Sequence, residues 1–155
     1  MAAELITKTG NPMTPGNFMA LMKSTLTDGI LNGCSVTASG ANITVADGRM
    51  VAGGALIVIT STTVTASSAG ELVLRIDSGA GTAEILVRQA TTLTKQDITG
   101  AGTVYEMRLA TFGFTNGAVS GLSIQIGTAA PKGAPNIYVQ QSQPSAPQPG
   151  DLWLW

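Results

Sequence analysis

The sequence predicts a mainly β protein: an antiparallel β-sandwich or barrel-like domain with a short N-terminal helix and an extended proline-rich C-terminal arm. Three observations carry that expectation. Short Thr/Val/Ile-rich segments recur about every ten residues between 30 and 126, separated by Gly, Asn, Asp and Ser, the spacing of all-β sandwiches and barrels. One longer stretch near the N-terminus has apolar residues at helical spacing. Of the seven prolines, five (Pro131, Pro135, Pro144, Pro147 and Pro149) crowd into one segment, where each removes a backbone donor and favours extended chain. The chain of 155 residues therefore divides into a leader and helix at 1–29, a β-domain at 30–127 and an arm at 128–155. Strands do not alternate with long helices, which argues against a doubly wound α/β sheet.

Residues 1–13 read as an extended leader with a turn at Gly10-Asn11-Pro12. Thr14 is a helix cap and Pro15 sits well in a first helical position. Phe18, Leu21, Met22 and Leu26 then form one apolar face of a helix ending near Asp28-Gly29, suited to covering an open end of the β-core or meeting another subunit. Ser35–Ala38 and Asn42–Ala46 flank a hairpin loop at Ser39-Gly40-Ala41, and Asp47-Gly48 is a tight-turn dipeptide. Arg49–Ala52 and Ala55–Thr60 flank Gly53-Gly54, and Thr62–Ala66 is a short polar strand. Glu71–Asp77 alternates Leu72, Leu74 and Ile76 with Glu71, Val73, Arg75 and Asp77, turns at Ser78–Gly81 and returns along Thr82–Gln89. Thr94 and Asp97 resemble a capping box opening one helical turn. Thr103–Phe112 and Val119–Ile126 pair around Asn116-Gly117, the strongest type I′ signal in the chain.

Composition narrows the chemistry. Charged residues are 11%, against about 25% in a typical soluble domain, and eight Lys+Arg stand against nine Asp+Glu. No basic stripe marks a nucleic-acid partner. Low charge leaves little self-repulsion and suits packing against other copies. The N-terminus has no basic region followed by an apolar one, so a signal peptide is not expected and synthesis in a cytoplasm is. The longest apolar run, Ala55–Ile59, is too short for membrane insertion. There is no histidine for a hydrolytic triad, and one cysteine, Cys34, in a strand-like stretch, expected to be a small buried hydrophobe. Glu71, Asp77, Glu84 and Glu106 fall on or beside predicted strands, where two facing carboxylates are what a glycosidase requires. Arg75, Arg88 and Arg108 on the same strands make solvent-face cross-strand pairs the expected reading. The sequence thus predicts no enzyme, no cofactor and no metal site.

The arm is the most informative segment. Asn136–Gln140 reads as one strand between prolines, and both tryptophans lie in the last three positions. Residues two apart in an extended chain share a face, so Trp153 and Trp155 form one aromatic face and Leu152 and Leu154 the other. Tryptophan is enriched at interface hot spots, and an extended segment can join a sheet edge. The predicted partner-docking residues are Ile137, Tyr138, Val139, Leu152, Trp153, Leu154 and Trp155, with Asn136–Gln140 adding to a sheet edge and the tryptophans acting as a plug, on a neighbour in preference to the chain's own body.

The order KTGNPMT, DGIL, NGCSVTASGANITVADGRMVAGG, GELVLRID, TLTKQDITGAGTVYEMRLA resembles small structural proteins of tailed bacteriophages, especially baseplate or tail-tip proteins of phages of Gram-positive hosts. The ending PQPGDLWLW is similar to the PxxGDLW endings of phage structural proteins. The resemblance implies a virion protein made in the host cytoplasm, working as a homo-oligomer, trimer or hexamer, among other virion proteins. The alternatives are a capsid-attached head fibre or decoration protein, and a module binding host cell-surface glycan.

Overall fold

A computed structural model describes residues 14–133, together with the backbone of 137–139 and 152–154. One helix, α1 (Pro15–Thr25), precedes ten strands: β1 (Gly29–Gly33), β2 (Val36–Ser39), β3 (Asn42–Val45), β4 (Gly48–Ala52), β5 (Ala55–Ile59), β6 (Thr62–Thr65), β7 (Gly70–Asp77), β8 (Thr82–Arg88), β9 (Val104–Thr115) and β10 (Ala118–Ile124). Two short strands follow in the arm, β11 (Ile137–Val139) and β12 (Leu152–Leu154). The body is mainly β, in three antiparallel sheets ordered β10-β9-β7-β8, β2-β3-β6 and β1-β4-β5. Edges of the first two meet: β2 lies beside β10 and β6 beside β8. The Val119 N–H donates to the Gly40 carbonyl at 2.8 Å across the first of these seams. The seven strands so curve around one interior, and the third sheet adds Met50, Ala52, Ala55 and Ile59 to the same core.

Alternation decides what fills that interior. Ile43 and Val45 of β3, Leu72, Leu74 and Ile76 of β7, and Met107, Ala110 and Phe112 of β9 are buried together. Two hairpins follow their turn chemistry. Asn116 and Gly117 have φ of 53° and 77°, and Gly53 and Gly54 have 58° and 89°, so both central residues are left-handed, as a two-residue type I′ connection requires. A Cβ on Gly53 would also lie 2.8 Å from the Tyr105 ring.

Thr14 caps α1, accepting from the Asn17 N–H at 3.2 Å, and Pro15 opens it. The helix stops at Thr25, short of the predicted Asp28-Gly29, because the chain is drawn into other pairings. The Thr27 N–H donates to the Ala130 carbonyl (2.8 Å), the Ile30 N–H to Gly127 (2.9 Å), and the Lys132 N–H to Thr25 (2.8 Å). Residues 127–132 are thereby laced to the body, and the arm leaves it beside the end of α1. The predicted apolar face is rotated: Phe18 and Leu21 are exposed, while Met19 packs on the core.

Three further expectations need correction. Asp47-Gly48 makes no hairpin: β3 and β4 belong to different sheets, and Gly48 is a strand residue opposite Gly33 and Ile59. A Cβ on Gly48 would lie 2.5 Å from the Cys34 Sγ, so close approach explains the glycine. Cys34 is buried as expected, but in a left-handed turn (φ 57°) between β1 and β2. Residues Thr94–Asp97 form no helical turn. Lys95 bridges antiparallel to Tyr105, and the Asp97 carboxylate accepts from the Thr99 N–H (3.1 Å) and hydroxyl (2.6 Å).

Candidate functional site

The predicted docking residues divide by what is described. The backbones of Ile137, Tyr138 and Val139 pair in parallel with those of Leu152, Trp153 and Leu154 respectively. Strand β11 lies inside the predicted strand 136–140, and its described partner is β12. Trp155, Asn136 and Gln140 lie outside the described residues, so the aromatic plug lies there in part.

Within the body, the densest chemistry covers the outward face of β7 and β9. Strand alternation puts Glu71, Val73 and Arg75 opposite the core side, across from Arg88, Leu86 and Glu84 of β8. The residues 89–103 fold over this face as a strap. The Arg88 guanidinium grips Glu106 with two bonds, Nη1 to Oε1 at 2.8 Å and Nη2 to Oε2 at 3.0 Å, and reaches Glu71 Oε1 through Nε at 3.0 Å. Arg108 Nε donates to Glu71 Oε2 at 2.5 Å, and its Nη2 to the Thr91 carbonyl at 3.1 Å. The strap contributes the Thr91 N–H to Glu71 (3.3 Å) and the Thr94 N–H to Glu106 (2.8 Å). Glu71 and Glu106 are buried, which corrects the expectation of a solvent face.

Burial alone pushes the Glu71 carboxyl up, but hydrogen bonds from Arg108, Arg88 and the Thr91 N–H outweigh it and hold the group below its usual 4.5. The Arg88 guanidinium likewise holds Glu106 down against burial, and Glu106 in turn raises Arg88. Both carboxylates are therefore ionised and saturated. Neither is poised to move a proton, and their shared guanidinium occupies the space a glycosidic bond would need.

A second cluster ties three elements together. Asp28 accepts from the Gly53 N–H at 2.9 Å and from the Tyr105 hydroxyl. Burial, then that bond to Asp28, pushes the Tyr105 phenol above its usual 10, so it stays protonated at neutral pH. Lys95 Nζ stands 5.6 Å from the Tyr105 ring centroid. Between the two clusters opens a cavity of about 250 Å³, lined by Asp28, Leu93, Lys95, Arg108, Gln125 and Ile126 among others. Its lining suits a small polar guest.

Cys34 is enclosed, and burial raises its thiol pKa, so it is a poor nucleophile. Among the described residues no three His, Cys, Asp or Glu side chains gather to hold a metal ion, and no helix is long and apolar enough to cross a membrane. The Glu/Arg pairing was visible in the sequence as charges on neighbouring strands. Its burial was not, because the covering strap is largely polar, with Leu93 and Ile98 its only large apolar residues. Neither the protein-family models nor the curated proteins searched contain a match to this sequence.

Proposed function

We propose that this chain is a non-enzymatic structural protein of a tailed-bacteriophage virion, placed at the tail tip or baseplate and working as a homo-oligomer. The observation that carries the reading is the contrast between a saturated body and its arm. Buried side-chain polar atoms of the body all have partners. The arm from Gly133 to Gly150 has no charged residue, and its described strands pair only with each other. A two-stranded pair is marginally stable alone in water. Such an arm gains most by docking on protein, which is what an assembly component needs, and the sequence resemblance to phage tail-tip proteins gives the assembly its identity.

Immunogold labelling of intact particles tests the location: label at the tail tip supports the reading, and label on the capsid supports the head-fibre alternative. Sedimentation of the purified chain tests the oligomer, trimer or hexamer being expected. The cavity beside Lys95 and Arg108 favours, as a second reading, a host-glycan-binding module, tested by a glycan array on the oligomer with Lys95→Ala as control.

A further inference from the structure

Strand β5 is an edge strand with α1 lying against it. It pairs with β4 on one side and ends its sheet on the other. Edge strands are normally guarded by charge, proline or a bulge, because their free N–H and C=O groups recruit other strands. The β5 sequence, Ala55-Leu56-Ile57-Val58-Ile59, has none of these. Val58 is 65% exposed and Leu56 41%. A groove of about 250 Å³ runs beside it, lined by Ile57, Val58, Ile59, Leu74, Glu84 and Ile85 among others. Its far wall is β8, which also ends its sheet, and among the described residues no ladder joins β8 to β6 or β5. The groove thus lies between the edge of β5 and β8, beside which β6 also runs, and it mixes polar and apolar surface with a single charged residue in its lining.

We infer that this groove receives the C-terminal arm of a second copy of the chain, one triplet of the arm adding to the edge of β5. The inference rests on the assembly reading above and names its contact. An extended, uncharged occupant fits this groove. Ile137-Tyr138-Val139 is such a triplet, its backbone is already a strand, and no charge occurs from 133 to 150. The arm's root points the same way: the Lys132 N–H is bonded to Thr25 at the end of α1, and α1 lies against β5. Beyond Gly133 the sequence continues to residue 155. At about 3.3 Å per extended residue, the four residues from Gly133 to Ile137 reach about 13 Å, so the triplet docks on an adjacent subunit that stands close to the arm's root. Arm into groove is a head-to-tail contact, and repetition of such contacts closes a ring where the rotation between copies closes.

Disulfide trapping between full-length copies tests the contact. One tagged copy carries Val58→Cys, and an untagged copy carries Ile137→Cys, Tyr138→Cys or Val139→Cys in turn. Cys34 is buried and does not compete. Thr37→Cys, exposed on β2, is the control. The expected result is intermolecular cross-linking several-fold above the control, with yield alternating along 137–139 because successive residues of a strand face opposite ways. Separately, Val58→Lys should shift the oligomer to smaller species while the circular dichroism of the body is unchanged. Equal yields at 37 and 58, cross-links confined within one chain, or an oligomer that survives Val58→Lys overturn the groove assignment. So does loss of the oligomer on deleting 1–13 when deletion of 134–155 leaves it intact. If the wild-type chain is a monomer at every concentration, the assembly reading itself fails, an outcome distinct from an intact oligomer lacking the cross-link.

Discussion

At Glu71 and Val73 the outward face of β7 is as buried as the inward one, by opposite means. Inward, Leu72, Leu74 and Ile76 meet Val87, Ile85 and Ala83 of β8, and Ala110, Met107 and Tyr105 of β9. Outward, Glu71 and Val73 are just as inaccessible, yet the groups around them are guanidinium, carboxylate and backbone amide. The inner face is held by removal of apolar surface from water, which tolerates approximate fit. The outer face is held by a closed set of partners, in which each bond depends on the others. Strand alternation thus reports which way a side chain points, and says nothing of what will cover it.

Substitution at Arg88 separates the two faces most sharply. Arg88→Met leaves Glu106 with one amide donor and Glu71 with Arg108 and Thr91, stranding buried charge. Breaking a buried pair from one side costs about 3–5 kcal/mol. Urea unfolding should show a loss of that size, and hydrogen exchange at the Thr91 and Thr94 amides should accelerate as the strap is released. The double variant Arg88→Met/Glu106→Leu should recover much of the loss, since apolar replacement of a whole pair is often neutral. A double variant as unstable as the single one would mean that the outer face is not a closed set of charges. On the inner face, Leu74→Ala should cost about 3 kcal/mol by leaving a cavity, with no acceleration at Thr91 or Thr94.

Gly53→Ala probes the junction between the faces. Its φ of 58° disfavours a side chain, and the new Cβ would press on Tyr105, which Asp28 holds in place. A loss of about 2 kcal/mol is expected, read as a lowered melting temperature. Acid should then distinguish the faces without mutation. Glu71 and Glu106 have folded pKa values below the usual 4.5. Their contribution is therefore complete above that value and is lost as pH falls through the depressed folded ones. Wild-type stability should decline below pH 4.5, and Arg88→Met should flatten that decline while Leu74→Ala leaves its slope alone.

The parts of this molecule that were legible in the sequence are those fixed by neighbours along the chain. Asn116-Gly117 announces its hairpin because both residues accept positive φ, and Leu72, Leu74 and Ile76 announce a core face by period. The strap reads as a helix start because Thr94 and Asp97 satisfy a helix-cap pattern locally, while the Thr94 N–H donates to the Glu106 carboxylate and the Thr94 carbonyl accepts from the Glu106 N–H, twelve residues on. Asp47-Gly48 reads as a tight turn and the chain bends at Asp47, but β4 takes its partners from β1 and β5, and no local rule reports that. Of the candidate site, the arm's strand triplets were visible as residue types. The exposed β5 edge was not, because Ala55–Ile59 reads equally well as a buried strand.

The smallest effect expected tests whether charge pairing as such holds the outer face. Lys23 Nζ and Asp97 Oδ1 stand 2.6 Å apart, closer than all but one pair of the buried network, but their side chains are 41% and 60% exposed. Lys23, with help from the Thr99 hydroxyl and N–H, holds the Asp97 carboxyl down to about 2. Water solvates both ions when they separate, so the pair should add little to folding. Lys23→Ala should raise the Asp97 pKa, followed by carbon NMR of the carboxyl, and leave the melting temperature within error of wild type. The rise should stop short of the ordinary 3.8, because the Thr99 bonds remain. If Lys23→Ala instead destabilised the protein as much as Arg88→Met, distance between charges would matter more than burial, and the two faces of β7 would not differ in kind.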